Sequence, residues 1–126
     1  MKEISEMTNE ELNYAIAVDV MGWEYGDHFI TGANSYRIVG RKTTTYTKAN
    51  NWYPTTDYNQ VFQVVEKMRS MGWSYVIGDE ADIYYCKFIN LYITCSDEAD
   101  TQQRAICEAA LAAVRGYEMN CSKGIK

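Results

Sequence analysis

Apolar positions along this chain change period several times, and each change predicts an element. Leu12, Ala15, Ile16 and Val20, with Met21, fall on one face of a helix. Thr8 and Glu11 have the spacing of a capping box in front of it, Met7 and Leu12 that of a hydrophobic staple, and Gly22 supplies the stop. Val61, Val64, Val65, Met68 and Met71 make a second stripe of the same period. Thr56 or Asp57 opens that helix, Asp57 and Gln60 have capping-box spacing, Lys67 and Arg69 complement the dipole at its end, and Gly72 stops it. Trp73–Ile77 then predicts a strand, Gly78–Asp82 a turn, and Ile83–Thr94 a long strand. Both alternations of that long strand are largely apolar or aromatic, which predicts cover on both faces. A third helix comes next, framed at its start by Asp100 and Gln103, packed through Ile106, Ala110, Leu111, Ala113 and Val114, and stopped by Gly116. Tyr117–Lys126 reads as a polar tail.

Residues 23–53 are less regular. His28-Phe-Ile and Tyr36-Arg-Ile-Val predict short strands around the turn-forming run Thr31-Gly-Ala-Asn34, and Gly40–Asn51 a loop or weak hairpin. Helices and strands in this order predict a single α+β domain over residues 1–126: three helices packed on both faces of a small, largely antiparallel sheet, an α-β-α sandwich. Within it the chain echoes itself, since Met21-Gly22-Trp23-Glu24-Tyr25 reappears fifty residues later as Met71-Gly72-Trp73-Ser74-Tyr75. An old duplication and two helices sharing one stop signal both account for this.

Composition narrows the function classes. The net charge of −5 argues against general binding to DNA or acidic membranes, and no apolar run approaches the ~20 residues of a membrane span. Cys86, Cys95, Cys107 and Cys121 contain no Cys-x-x-Cys pair, and His28 is the sole histidine. The cysteines therefore read as reduced and mostly buried, with Cys121 a free thiol in the tail, and neither a metal site nor a cofactor is expected. One histidine also leaves little material for a nucleophile-and-base set, so the chain reads as a protein without catalytic activity.

Several of these residues resemble the phage ABA sandwich family. The resemblance runs through Glu11-Leu12, Val20-Met21-Gly22-Trp23, Trp52-x-Pro54, Thr56-Asp57, Val64-Val65-Glu66-Lys67-Met68 and Gly72-Trp73. It closes on Ala99-Asp100-Thr101 and on the run from Ala105 to Val114. It implies a small bacteriophage or prophage protein with an α-β-α sandwich, acting in the host bacterial cytoplasm. The matched positions are caps, core and turns, so they carry the fold and leave the activity open.

Candidate chemistry lies between those matches. From Gly32 to Thr56 there are four cations, Arg37, Arg41, Lys42 and Lys48, and no acid, so the rest of the chain sums to −9. Tyr36, Tyr46, Trp52 and Tyr53 are interleaved with them, and Thr43, Thr44, Thr45, Asn50 and Asn51 offer neutral hydrogen-bonding groups. Cationic groups hold phosphate oxygens and flat rings stack on a base. A solvated hairpin whose charges only keep it in solution has the same composition. Asn90, a polar residue amid apolar strand neighbours, joins Arg37, Arg41, Lys42, Lys48, Trp52 and Tyr53 as a candidate ligand contact. Trp23 and Trp73 read as covers for the ends of the core, and Arg69, Arg104 and Arg115 as surface or helix-dipole residues. The expectation is an anti-defence protein that sequesters a small signalling nucleotide of bacterial immunity, of cyclic nucleotide or cyclic ADP-ribose type, without turning it over. A homodimer or higher homo-oligomer would deepen a site that one small domain leaves shallow. The alternative is an inhibitor that covers a host defence protein with its acidic surface, and a third reading is a hydrolase of unfamiliar design.

Overall fold

The computed structural model describes residues 3–28, 33–40, 42–91, 93–116 and 121–123. Three helices, α1 (Asn9–Ala15), α2 (Tyr58–Ser70) and α3 (Gln102–Arg115), combine with antiparallel strands in an α+β sandwich, the expected class. The strands divide between two sheets. β1 (Glu24–His28), β2 (Ala33–Val39) and β3 (Thr44–Lys48) form one, and β4 (Ser74–Glu80), β5 (Ile83–Asn90), β6 (Ile93–Ala99) and β7 (Cys121–Lys123) form the other, each in sequential order.

The helix signals act where the sequence places them. Thr8 and Glu11 exchange side-chain and backbone hydrogen bonds at 3.1 and 2.9 Å, closing the capping box of α1. Beyond Ala15 the helix widens into a π turn over Ile16–Val20. Asp57 accepts from the Gln60 N–H at 2.9 Å, but the Gln60 side chain does not complete a box. Its oxygen accepts from the Tyr53 N–H and its amide donates to the Asn51 carbonyl, so it ties down the chain entering α2. α3 is capped by Thr101, which accepts from the Arg104 N–H at 3.2 Å, not by Asp100 as its spacing with Gln103 suggested. A hydroxyl and a carboxylate one residue apart are equivalent caps in sequence, and only the backbone conformation selects between them.

Helix α3 is the centre of the core. Ala105–Ala113 is buried without interruption, with β5 and β6 packed on one side and α2 and the π turn on others. Alanines permit that approach from several directions. Cys86, Phe88 and Cys95 on the sheet, Leu12 and Ile16 on the first helix, and Val61, Val64, Val65 and Met68 on α2 complete the core. Each of the Leu, Ile, Val, Phe and Met side chains among them contributes roughly 1.5–3 kcal/mol on burial. Met71, expected in the α2 stripe, lies past the helix end and is exposed.

Four further expectations change. β4 runs on through Gly78 to Glu80, and the turn is confined to Ala81-Asp82, with Ala81 left-handed. The long strand is broken at Leu91, also left-handed, into the β5–β6 hairpin. β5 is covered on one face only: Cys86 and Phe88 point into the core while Ile83 and Lys87 are exposed. Part of the expected polar tail pairs as β7, with Cys121 in register opposite Cys95. Cys95 is disulfide-bonded, whereas Cys86 and Cys107 are free and buried, so the all-reduced expectation fails for Cys95. The Cys121 side chain lies outside the described residues, as do the His28 side chain and Phe29–Gly32.

Candidate functional site

The cationic segment becomes the β2–β3 hairpin, a definite strand pair where the sequence suggested a loop or weak hairpin. Its register sets Arg37 opposite Tyr46 and Ser35 opposite Lys48. Alternation therefore places Arg37, Tyr46 and Lys48 on one face of the hairpin, opposite the face through which Tyr36 enters the core. Arg37 donates to Glu24 on β1 at 3.0 Å. That bond first, then one to Tyr46, raises its pKa and holds the guanidinium charged. Lys42 is exposed in the bend beyond β2, and Lys48 is exposed at the other end of β3. Arg41 lies outside the described residues.

Trp52 does not belong to this surface. It is 4% exposed, its Nε1 donates to the Asn13 carbonyl at 3.1 Å, and its ring meets Trp23 edge-on at 4.6 Å. Asn13 also accepts the Thr55 N–H through its side chain, so one residue of α1 clamps the corner before α2. Trp52 is therefore core, because the edge that looked free beside a polar segment is held under the first helix. Tyr53, next in the chain, keeps an exposed ring. Asn90 ends β5 opposite Ile93, and the sheet that carries it has no strand pairing with the hairpin. The structure thus groups Arg37, Tyr46 and Lys48 and separates Asn90 from them.

A second candidate lies where α3 begins, and the sequence reading passed over it. Arg104, expected at the surface, is mostly buried. Its Nε donates to Glu108 Oε2 at 2.5 Å, its Nη1 to Asn9 Oδ1 at 2.8 Å, and its Nη2 to the Met7 carbonyl at 2.6 Å. One guanidinium thereby joins α3 to the segment leading into α1. Glu108 is 3% exposed. Burial pushes its carboxyl up to about 7 in spite of Arg104, with Asp97 on β6 adding repulsion. Burial also raises the Asp97 carboxyl. The two acids face each other across the contact between helix and sheet.

These groups border a cleft of about 660 Å³, lined also by Thr55, Glu98 and Asp100. A signal for it was present in the sequence. Glu108 is the single charge in an apolar run from Ala105 to Val114, and Arg104 stands four residues before it, on the same helix face. Among the described residues, no group of three or more His, Cys, Asp or Glu is placed to hold a metal ion. No helix among them is long and apolar enough to cross a membrane.

Comparison with known proteins bears on the fold. The family model described as the phage ABA sandwich domain matches residues 14–111. A crystal structure of a phage protein from Bacillus cereus ATCC 14579 is similar over 86% of this chain and 89% of its own, with a TM-score of 0.59 and 22% sequence identity. At that identity the likeness concerns architecture alone. No curated protein matches the chain.

Proposed function

The chain belongs to the phage ABA sandwich domain family, and we propose that it is a non-catalytic anti-defence protein that sequesters a small phosphorylated signalling nucleotide in the cytoplasm of the host bacterium. The observation that carries this reading is the common face of Arg37, Tyr46 and Lys48 on the β2–β3 hairpin. A guanidinium and an ammonium on either side of a phenol ring offer phosphate contacts next to a stacking surface. The segment itself contains no acid in a chain of net −5, and with Arg37 bonded to Glu24 on β1 the attraction for an anion falls chiefly to Lys42 and Lys48. Lys42 and the exposed Tyr53 ring extend the chemistry, while Trp52 has no part in it. A second copy of the chain packed against the hairpin would give an open face the walls of a pocket.

Calorimetry against cyclic di- and oligonucleotides and cyclic ADP-ribose-type molecules tests the proposal. At least one should bind, and an Arg37→Ala, Lys42→Ala, Lys48→Ala triple variant should weaken it by at least about a hundredfold, the loss of two or more charge-assisted contacts. Chromatography of the released ligand should return it intact, and native mass spectrometry should report an oligomer. Titrations without heat across the whole panel reject the reading.

The inhibitor reading also has an observation in its favour. Val76 and Ile83 lie on the outward face of the four-stranded sheet, each 45% exposed, near the acids Glu80 and Glu98. Recovery of a stoichiometric host protein by the triple variant as well as by the unaltered chain would favour that reading over sequestration.

A further inference from the structure

The two Met-Gly-Trp helix stops use equivalent side chains differently. In the first copy Trp23 packs on Trp52 and Tyr36, Tyr25 packs on Tyr14 and Tyr36, and Glu24 is paired with Arg37. Asp19, three residues before Gly22, is paired with Arg115. The equivalent positions of the second copy are Trp73, Tyr75, Ser74 and Arg69. Among the described residues no aromatic pair, ion pair or side-chain hydrogen bond engages these four. With Gly72 they line an open cavity of about 660 Å³ at the end of α2, a volume within the range of small-ligand sites. No acid lines it.

The helix stop holds this group in place and decides its polarity. The Gly72 N–H donates to the Arg69 carbonyl at 3.0 Å and the Trp73 N–H to the Met68 carbonyl at 3.1 Å. The Lys67 carbonyl accepts from the Ser70 hydroxyl at 2.6 Å and from the Met71 N–H at 3.2 Å. The carbonyls of Lys67, Met68 and Arg69 are thus taken by the chain itself. The side chains left to a ligand all carry donors: the Arg69 guanidinium, the Trp73 indole N–H and the Ser74 and Tyr75 hydroxyls. Trp73 is half-buried against the core, which fixes its ring, and the Tyr75 ring is exposed.

We propose that this cavity binds a flat aromatic ring carrying a phosphate, a ligand of nucleoside monophosphate type. Arg69 holds the phosphate, the hydroxyls take up its further oxygens, and Trp73 and Tyr75 contact the ring. A carboxylate has fewer oxygens and satisfies fewer of these donors. The site goes beyond the hairpin reading, because it stands at the start of the four-stranded sheet, which has no strand pairing with the sheet of Arg37, Tyr46 and Lys48.

The test is a titration of the full chain with adenosine monophosphate, followed through the indole N–H resonances and the backbone amides of residues 69–75, with Trp73→Phe assigning the Trp73 indole. Saturable shifts are expected there. Adenosine and inorganic phosphate should each bind at least about tenfold more weakly, the loss of one charge-assisted contact or of one stacked ring. Naphthoate, a ring with a carboxylate, should also bind more weakly. Arg69→Ala alters an exposed residue and should keep the fold, while reducing adenosine monophosphate to the affinity of adenosine. Tyr75→Leu should weaken both several-fold with an unchanged circular dichroism spectrum. Absence of shifts in residues 69–75, adenosine, phosphate or naphthoate binding as tightly as the nucleotide, or an affinity unaltered in Arg69→Ala overturns the proposal. The Arg37, Lys42 and Lys48 triple variant should keep this response, and Arg69→Ala should keep any cyclic nucleotide binding by the hairpin, so failure here and failure of sequestration are told apart.

Discussion

Met21-Gly22-Trp23 and Met71-Gly72-Trp73 end two helices with the same three residues, yet the strands they lead into meet different surroundings. Both glycines are left-handed, at φ +77° and +97°, and neither would bring a Cβ within 4 Å of another atom. At the second copy the Trp73 N–H donates to the Met68 carbonyl at 3.1 Å, a five-residue closure of the Schellman kind. At the first copy the helix has widened into its π turn, and the Trp23 N–H reaches back to Ala17 at 2.9 Å, six residues away. Trp23 then joins Trp52 and Tyr36 in a ring cluster beneath the three-stranded sheet. Trp73 leads into the sheet that covers α3 and holds Asp97 against Glu108. The first sheet shows its charges to solvent and the second buries one. A common stop signal specifies where a helix ends, while the next strand's fate depends on what it finds to pair with and pack on.

The largest effect should come from removing the ring on which the first copy rests. Trp52→Ala deletes a buried indole and its bond to Asn13, and is expected to cost about 3–5 kcal/mol in urea unfolding. A loss under ~1 kcal/mol would mean that the cluster is not what holds the three-stranded sheet to the helices.

The second expectation concerns the charge that the other sheet buries. Glu108 binds its proton up to about 7 in the folded state, well above its ordinary value of 4.5. Between those values the folded protein holds a proton that the unfolded chain has released. Stability is therefore fully present below the lower value and falls as pH rises through the upper one, and the raised Asp97 carboxyl acts in the same direction. Unfolding free energies at about pH 5 and pH 8 should differ by roughly 1–3 kcal/mol, and Glu108→Gln should flatten that difference. An equal slope in the variant would place the titration elsewhere.

The smallest effect sharpens the comparison itself. Gly22→Ala and Gly72→Ala meet open space, so each should cost only the left-handed backbone term of about 1–2 kcal/mol. Equal values, measured side by side, would show that the two stops are energetically one device. A larger cost at Gly22 would show that the π turn depends on it.

Local chemistry was legible. Thr8 with Glu11, Asp57, Gly22, Gly72 and Gly116 act within a few residues of their own positions, so the three helices and their ends arise from short stretches of chain. The apolar stripes that face α3 were legible for the same reason, because helical period and burial have one cause. The candidate surfaces were legible only in part. Arg37 and Lys48 share a face because β3 exists and pairs in a particular register, and nothing within Gly40–Asn51 determines that register. Glu108 carried a signal in its apolar surroundings, but the acid it faces and its cleft arise from residues elsewhere in the chain.

By itself the sequence determined three capped helices, an α+β class and a cationic segment in an acidic chain, because caps, periodicity and charge count are properties of neighbouring residues. Only the tertiary structure decided that the strands form two sheets, that Trp52 lies under α1, and that Arg104 is buried beside an acid. Those outcomes depend on partners forty to a hundred residues away, as from Trp52 to Asn13 and from Arg104 to Ile4. A side chain's burial is set by what the rest of the fold brings to it, and the same tryptophan or arginine serves core or surface until that partner arrives.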